Sequence, residues 1–214
     1  MPKKETSPPR RSTYRHGDLY CALLEAGTEL ARNGGPDAVV LREATRQVGV
    51  APNAAYRHFA DRQALLFAVC EVAQAALAVA IETEIANLPK KKDAVKAAQA
   101  QLRAVGTGYV RFARAEPGLF RTAFSVPDDL EGAANPGKAG NSGLTPFQLL
   151  SAALDKLVEV GALPSERRQG AEFLAWSAVH GLAMLAIDGP LRGLNDMQMQ
   201  AIGQRVLDMV EQGL

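Results

Sequence analysis

The stretch 41–59, LREATRQVGVAPNAAYRHF, restricts the fold of this chain more than any other. Leu41, Ala44 and Val48 recur at helical spacing on one side, while Arg42, Glu43, Arg46 and Gln47 point away from it. Gly49 follows where the chain must turn sharply, and a left-handed conformation there carries no steric penalty for glycine. Pro52 suits the first turn of a second helix, where its missing N–H is no loss. Thr45 is small enough for the two helices to cross closely, Val50 plugs the corner, and Ala54 and Ala55 keep the second helix slim on its inner side. Two short helices joined by a glycine-containing turn predict a helix-turn-helix, the arrangement that lays its second helix in the DNA major groove.

The outward residues suit that use. Asn53 and Arg57 are types that make paired hydrogen bonds to adenine and guanine, whereas Tyr56 and His58 more often reach phosphates. Arg42, Arg46 and Arg62 are further phosphate candidates, the last at a helix start whose free N–H groups favour an anion. Spacing alone leaves a second reading open, an ordinary helical hairpin with a solvated basic face.

Charge supports the first reading mildly. Residues 1–62 carry ten Lys and Arg against seven Asp and Glu, a net +3, while the whole chain is only +1, so the remainder is −2. The first 14 residues are rich in Pro, Ser and basic residues and are expected to form a flexible basic arm, solvated or lying along DNA. A helix over 15–32 with Leu19, Leu23, Ala26 and Leu30 in one stripe completes a three-helix module over 15–62.

Residues 63–214 predict a second helical domain. Asp61 caps a helix reaching about residue 87, with Leu65, Leu66, Val69, Val72, Ala76 and Val79 inward. Val95, Ala98, Leu102, Val105, Tyr109 and Phe112 mark the next, ended by Pro117, after which a short helix over 118–124 fits. Thr145 and Pro146 start another with Phe147, Leu150, Leu154 and Leu157 inward. Ser165 caps one over 166–187, and Asn195 or Asp196 opens the last. Between them, 126–143 has no apolar period and reads as a long flexible loop. With 47% hydrophobic residues and no strand pattern, the chain is expected to be all-α, with about nine helices.

Other function classes have little in their favour. No His, Cys and carboxylate group has metal-ligand spacing, no phosphate loop follows a strand, and no nucleophile–base pair is visible, so neither catalysis nor a cofactor is expected. Cys21 and Cys70 lie in apolar helical stretches and read as small reduced core residues, with a redox pair as the alternative. No run of about 18 apolar residues suggests a membrane span, and the charged N-terminus lacks an export core. A cytoplasmic location is expected.

Beyond these readings, the chain resembles the TetR family of bacterial transcriptional regulators. The resemblance is carried by Arg42-Glu43, Gly49-Val50, Tyr56-Arg57-His58-Phe59 and Asp61-Arg62-Gln63-Ala64-Leu65-Leu66. It continues more weakly in Phe112 to Phe120, FARAEPGLF, and in Trp176-Ser177-Ala178-Val179-His180-Gly181. It implies a homodimer on a double-stranded, palindromic DNA operator, released by a small-molecule effector. The DNA-facing set is then Arg42, Arg46, Pro52, Asn53, Ala54, Tyr56, Arg57, His58 and Arg62. Tyr109, Phe112, Phe124, Trp176 and His180 are pocket candidates. Trp176, His180, Gly181, Leu185, Ile202, Val206 and Met209 are dimer candidates. The glycines at 106 and 108 leave two explanations open, close helix packing or room for a ligand beside Tyr109. An activator, or a DNA-binding protein without an effector, stays open as well.

The chain departs from the family at three places where hydroxyl residues are common. Val40 and Ala51 precede the two short helices, and Ala54 stands where a phosphate-contacting Thr often lies. Missing caps cost about 1 kcal/mol each, and the departure shifts weight onto Asn53, Tyr56, Arg57 and the N-terminal arm.

Overall fold

The computed structural model describes residues 16–127 and 129–214, so the N-terminal arm lies outside the described residues. Among them are ten α-helices and no strand. The first helix, α1 (His16–Gly34), leads through a short 3-10 turn to α2 (Leu41–Val48) and α3 (Pro52–Ala55). The others are α4 (Arg62–Ala86), α5 (Ala94–Ala115), α6 (Pro117–Ala123), α7 (Pro146–Glu159), α8 (Ser165–Arg168), α9 (Ala171–Ile187) and α10 (Asp196–Gly213).

Several starts follow from the expected chemistry. Asp61 accepts from the Ala64 N–H at 2.8 Å, and Asp93 does the same for Lys96 at 3.0 Å. Thr145 with Gln148, and Asn195 with Gln198, form reciprocal capping boxes at α7 and α10. The helix expected over 166–187 is instead two. Gly170 takes a left-handed conformation, φ 79°, which ends α8 and starts α9 with a change of direction. Ser165 is the first residue of α8 and makes no cap, and Pro164 precedes it.

Helix α4 is the central strut, packed against α1, α5, α6 and α7. By length and composition it could cross a membrane, with a mean hydropathy of 2.2 over its most apolar window, yet half of that window is buried by the protein's other helices. Its inward face differs from the expected stripe. Leu65, Leu66 and Val69 are buried, but farther along Ala73, Leu77, Ala78 and Ile81 are buried while Val72, Ala76 and Val79 are only partly covered. A helix apolar all round leaves periodicity nothing to choose between, and its neighbours decide.

Of the glycines of α5, Gly108 serves close packing on the α4 backbone, while Gly106 both packs on Leu207 and lines the cavity beside Tyr109. A Cβ at Gly108 would stand 2.8 Å from the Ile81 Cα of α4, and one at Gly106 would stand 2.4 Å from Leu207 of α10. Cys70 is buried, its thiol directed to the Thr122 carbonyl at 2.9 Å, whereas Cys21 is exposed on α1 and is no core residue. The 126–143 segment holds two 3-10 turns, Gly132–Ala134 and Pro136–Lys138. Asn135 donates to Glu71, and the N–H groups of Asn141 and Ser142 donate to Glu82, so α4 carboxylates hold it at two levels.

Candidate DNA-binding surface and ligand cavity

The reader module is built from small residues. Ala44 and Ala55 are fully covered, and Leu41, Thr45 and Phe59 are buried with them. Thr45 satisfies its own hydroxyl on the Arg42 carbonyl at 2.8 Å. Gly49 has φ 77°, and its N–H closes α2 on the Thr45 and Arg46 carbonyls. No side chain caps α2 or α3, as expected from Val40 and Ala51. Phe59 stacks on Tyr20 of α1 with ring centroids 4.9 Å apart, which fixes the far end of the module.

This packing turns Arg42, Arg46, Pro52, Asn53, Tyr56 and Arg57 to solvent on one continuous stretch of chain, with Ala54 half-buried behind them. Tyr56 is 58% exposed, a large aromatic side chain turned to solvent. Two of the basic residues are engaged inside the module. Arg46 pairs with Glu43 at 2.5 Å, a contact between exposed groups that a phosphate can displace. Arg62 donates to the carbonyls of Val39 and Pro36 at 2.8 and 2.7 Å, so it ties the entry of α2 to the start of α4. His58 is half-buried and packs against Tyr20, 6.4 Å between centroids, instead of standing fully outward.

Behind the module, α6 joins it to the rest. A Cβ at Gly118 would lie 2.3 Å from the Arg32 carbonyl oxygen, so only glycine allows α6 to press on the end of α1. Arg32 also pairs with Glu116 at 3.0 Å. On its other sides α6 receives Gln74 of α4 at the Ala123 carbonyl, and Arg121 makes a two-pronged contact with Asp188 at the end of α9.

A cavity of about 510 Å³ lies on the far side of α6, among α4, α5, α7 and α9. Its walls are apolar, with Ile81, Leu102, Leu150 and Val179 beside the rings of Tyr109, Phe124, Phe147 and Trp176. Val126, Leu130 and Ala133 of the segment between α6 and α7 also line it. Of the pocket candidates, Tyr109, Phe124 and Trp176 reach the cavity, whereas Phe112 is buried elsewhere in the core and His180 stands behind Tyr109. Phe147 and Leu150 were legible only as an inward stripe, and the segment gave no sign of a wall.

Besides Gln74 and Asp129, which line the cavity with partners of their own, the polar side chains here form one chain of hydrogen bonds. The Trp176 indole donates to the Tyr109 oxygen at 3.0 Å, and the Tyr109 hydroxyl and His180 Nδ1 share a hydrogen bond of 2.7 Å, in which the hydroxyl uses its own proton if it donates to Nδ1. In that order the imidazole is neutral and carries its proton on Nε2. Burial lowers the His180 pKa and raises that of Tyr109, so both hold the neutral forms the chain requires. Trp176 and His180 therefore face inward. Gly181, Leu185 and Met209 are exposed on α9 and α10, the last two at 46% and 58%, while Ile202 and Val206 are half-buried against Leu182, Ala186 and Met199. Among the described residues no group of His, Cys, Asp and Glu is placed to hold a metal ion.

Comparison with known proteins accounts for both halves. Residues 23–69 match the bacterial regulatory proteins of the tetR family, and residues 102–210 match the tetracyclin repressor-like C-terminal domain. No curated protein matches. Among solved structures, the chain is similar to a protein of unknown function from Rhodococcus sp. RHA1, with 27% identity, 95% of this chain and 99% of that one covered, and a TM-score of 0.64. It shares the fold of the TetR family transcriptional regulator PfmR from Thermus thermophilus, at 19% identity, with 90% and 98% covered and a TM-score of 0.56. A TetR-family regulator from Pectobacterium atrosepticum has the same TM-score at 17% identity, with 95% and 96% covered. With one model spanning the reader and another spanning half of the chain behind it, this protein belongs to the TetR family of DNA-binding transcriptional regulators.

Proposed function

We propose that the protein is a homodimeric repressor that binds a palindromic operator and leaves it when a small molecule enters the cavity. The observation that carries this reading is the apolar cavity's position beside α6, the helix that bears on α1 through Gly118. Its volume and walls are those of a small-molecule site. A ligand that fits one arrangement of α6 better than another changes DNA affinity by its preference between them and by nothing else.

Dimerisation through α9 and α10 supplies the second reader. Leu174, Gly181 and Leu185 form an exposed stripe on α9, with Met209 exposed on α10, a surface too apolar for one subunit alone. Twofold pairing sets two readers about one DNA turn, ~34 Å, apart on a symmetric site. The protein then acts in the bacterial cytoplasm, on the nucleoid, without chemistry of its own.

Selection from a random duplex pool with the purified protein should return a symmetric sequence, and mobility shifts with that duplex test the reader. Tyr56→Ala and Arg57→Ala should each weaken binding about tenfold or more, ~1–3 kcal/mol, with unchanged melting temperature. If both bind as tightly as the parent, the DNA-facing surface is elsewhere. A stable monomer at micromolar concentration in sedimentation would remove the twofold arrangement.

A further inference from the structure

A second cavity, about 580 Å³, opens between α5, α9 and α10, and Gly106, Val179 and Leu207 line it together with the first. Leu207 is the partition. Its side chain fills the place that a side chain at Gly106 would take, and two aliphatic groups with one glycine make up the shared wall. An occupant of both chambers would need Leu207 to take another rotamer.

The chambers differ in chemistry. In the first, Trp176 is bonded to Tyr109 and Tyr109 to His180, the Gln74 amide donates to a carbonyl, and the Asp129 carboxylate accepts from the Gly132 N–H, so the walls ask for an apolar occupant and disfavour a negative charge. The second holds Arg111 and Arg114, one turn apart on α5. Arg111 pairs with Glu84 at 2.6 Å and Arg114 with Asp196 at 2.8 Å. Asp196 is 97% exposed, so it holds Arg114 weakly and gives way to another carboxylate, while Arg114 also reaches the Leu194 carbonyl at 3.5 Å.

We propose that one slender amphiphile occupies both chambers, its unbranched hydrocarbon tail among the aromatic rings of the first and its carboxylate head on Arg114 in the second. The inference rests on the reading of the first cavity as a ligand site. The passage left by one leucine side chain admits a linear chain and stops a branched or polycyclic body. At the other end, guanidinium meets carboxylate in paired hydrogen bonds. Asp196 lines the same chamber and repels the head, so the head and the Arg114–Asp196 pair exclude one another. Because Asp196 lies in the first turn of α10, head binding removes one tie between the start of that helix and α5.

The chain's single tryptophan, Trp176, lines the first cavity and reports on it by fluorescence. The full-length protein is titrated with octanoate, dodecanoate, tetradecanoate and the matching alcohols, each below its micelle-forming concentration. Dodecanoate and tetradecanoate should bind about tenfold tighter than their alcohols, a difference of ~1.4 kcal/mol. Arg114→Gln should erase that preference and leave the alcohols unchanged, while Asp196→Asn should tighten the carboxylates severalfold. Leu207→Ala should favour the longer chains over octanoate. Equal binding of acids and alcohols, or a preference that survives Arg114→Gln, overturns the two-chamber ligand but leaves the first cavity as a ligand site. Silence of Trp176 toward every probe overturns both.

Discussion

Helices α2 and α3 begin at Val40 and Ala51, and neither start is capped by a side chain, whereas α4, α5, α7 and α10 begin at Asp61, Asp93, Thr145 and Asn195, which all are. Of the longer helices behind the reader only α9 lacks such a cap, starting at Gly170. The contrast extends to the packing. The reader closes over aliphatic residues such as Leu23, Val39 and Leu41, alanines and one stacked pair, Tyr20 on Phe59, while the second domain closes over Phe120, Tyr109, Phe124, Trp176 and His180, whose rings meet at 5.1–6.4 Å. Isolated helices of eight and four residues are not stable in water. The reader thus takes its geometry from α1, α4 and the Arg62 clamp, and the second domain can impose its own changes on it. A reader held from outside suits a regulator better than one that specifies itself.

The largest test of that asymmetry is Phe120→Ala. Phe120 is fully buried and touches Tyr109, Phe124 and His180, so its loss should cost about 3–5 kcal/mol. At roughly 2–4 °C per kcal/mol, thermal unfolding should move down by ~10 °C. A loss under ~1 kcal/mol would mean that the aromatic cluster is not what holds the second domain. Gly118→Val comes next, since a Cβ there meets the Ala31 and Arg32 carbonyls at 2.4 and 2.3 Å, and backbone cannot swing away. It should cost about 1–3 kcal/mol in calorimetry and, unlike Phe120→Ala, should weaken operator binding at temperatures where the protein stays folded. Unchanged operator affinity would show that the α6–α1 contact carries stability alone.

Much of this architecture could be read from residues. Asp61, Thr145 and Asn195 each announced a helix start because a cap is local chemistry, visible in four residues. The reader surface was legible for the same reason, as Gly49 and Pro52 fix the turn within a short window. What stayed hidden depends on contacts distant in sequence. Nothing near Gly118 signals the end of α1, nor does anything near Arg62 signal the Val39 carbonyl. His180 was placed among pocket and dimer candidates, and only the fold sets it behind Tyr109. The cavity wall formed by Val126, Leu130 and Ala133 has no period because the described part of that segment holds only a short 3-10 turn.

Adding and removing caps sharpens the contrast directly. Val40→Thr and Ala51→Ser supply the missing side-chain acceptors at backbone angles, φ −130° and −67° with extended ψ, that a cap residue adopts. Each should stabilise the protein by roughly 0.5–1 kcal/mol, and Asn195→Ala should cost about 1 kcal/mol. Hydrogen exchange should show the first two slowing amides of α2 and α3, with no effect near α10. If the gain is instead global and equal at both ends, the reader and the second domain unfold together and the external support inferred for the reader is not separable from the whole.

The smallest expected effect is a pH dependence in the second domain. Burial lowers the His180 pKa from its usual 6.5, so the folded protein takes up this proton less readily than the unfolded chain. Above about pH 6.5 both states are neutral at this residue and it makes no difference to stability. As the pH falls below that value the unfolded chain is protonated first, so stability declines until the lower folded pKa is passed, and then levels off. The decline is modest because the imidazole is only partly covered and water screens its charge. His180→Gln keeps an acceptor for the Tyr109 hydroxyl but has no proton to gain, and melting curves between about pH 7.5 and 5.5 should lose the slope that the parent shows. The comparison is clean because most carboxylates titrate below that window. Parallel slopes in parent and variant would place the titrating group elsewhere, and the Tyr109–His180 bond would then be an ordinary buried contact without sensitivity to pH.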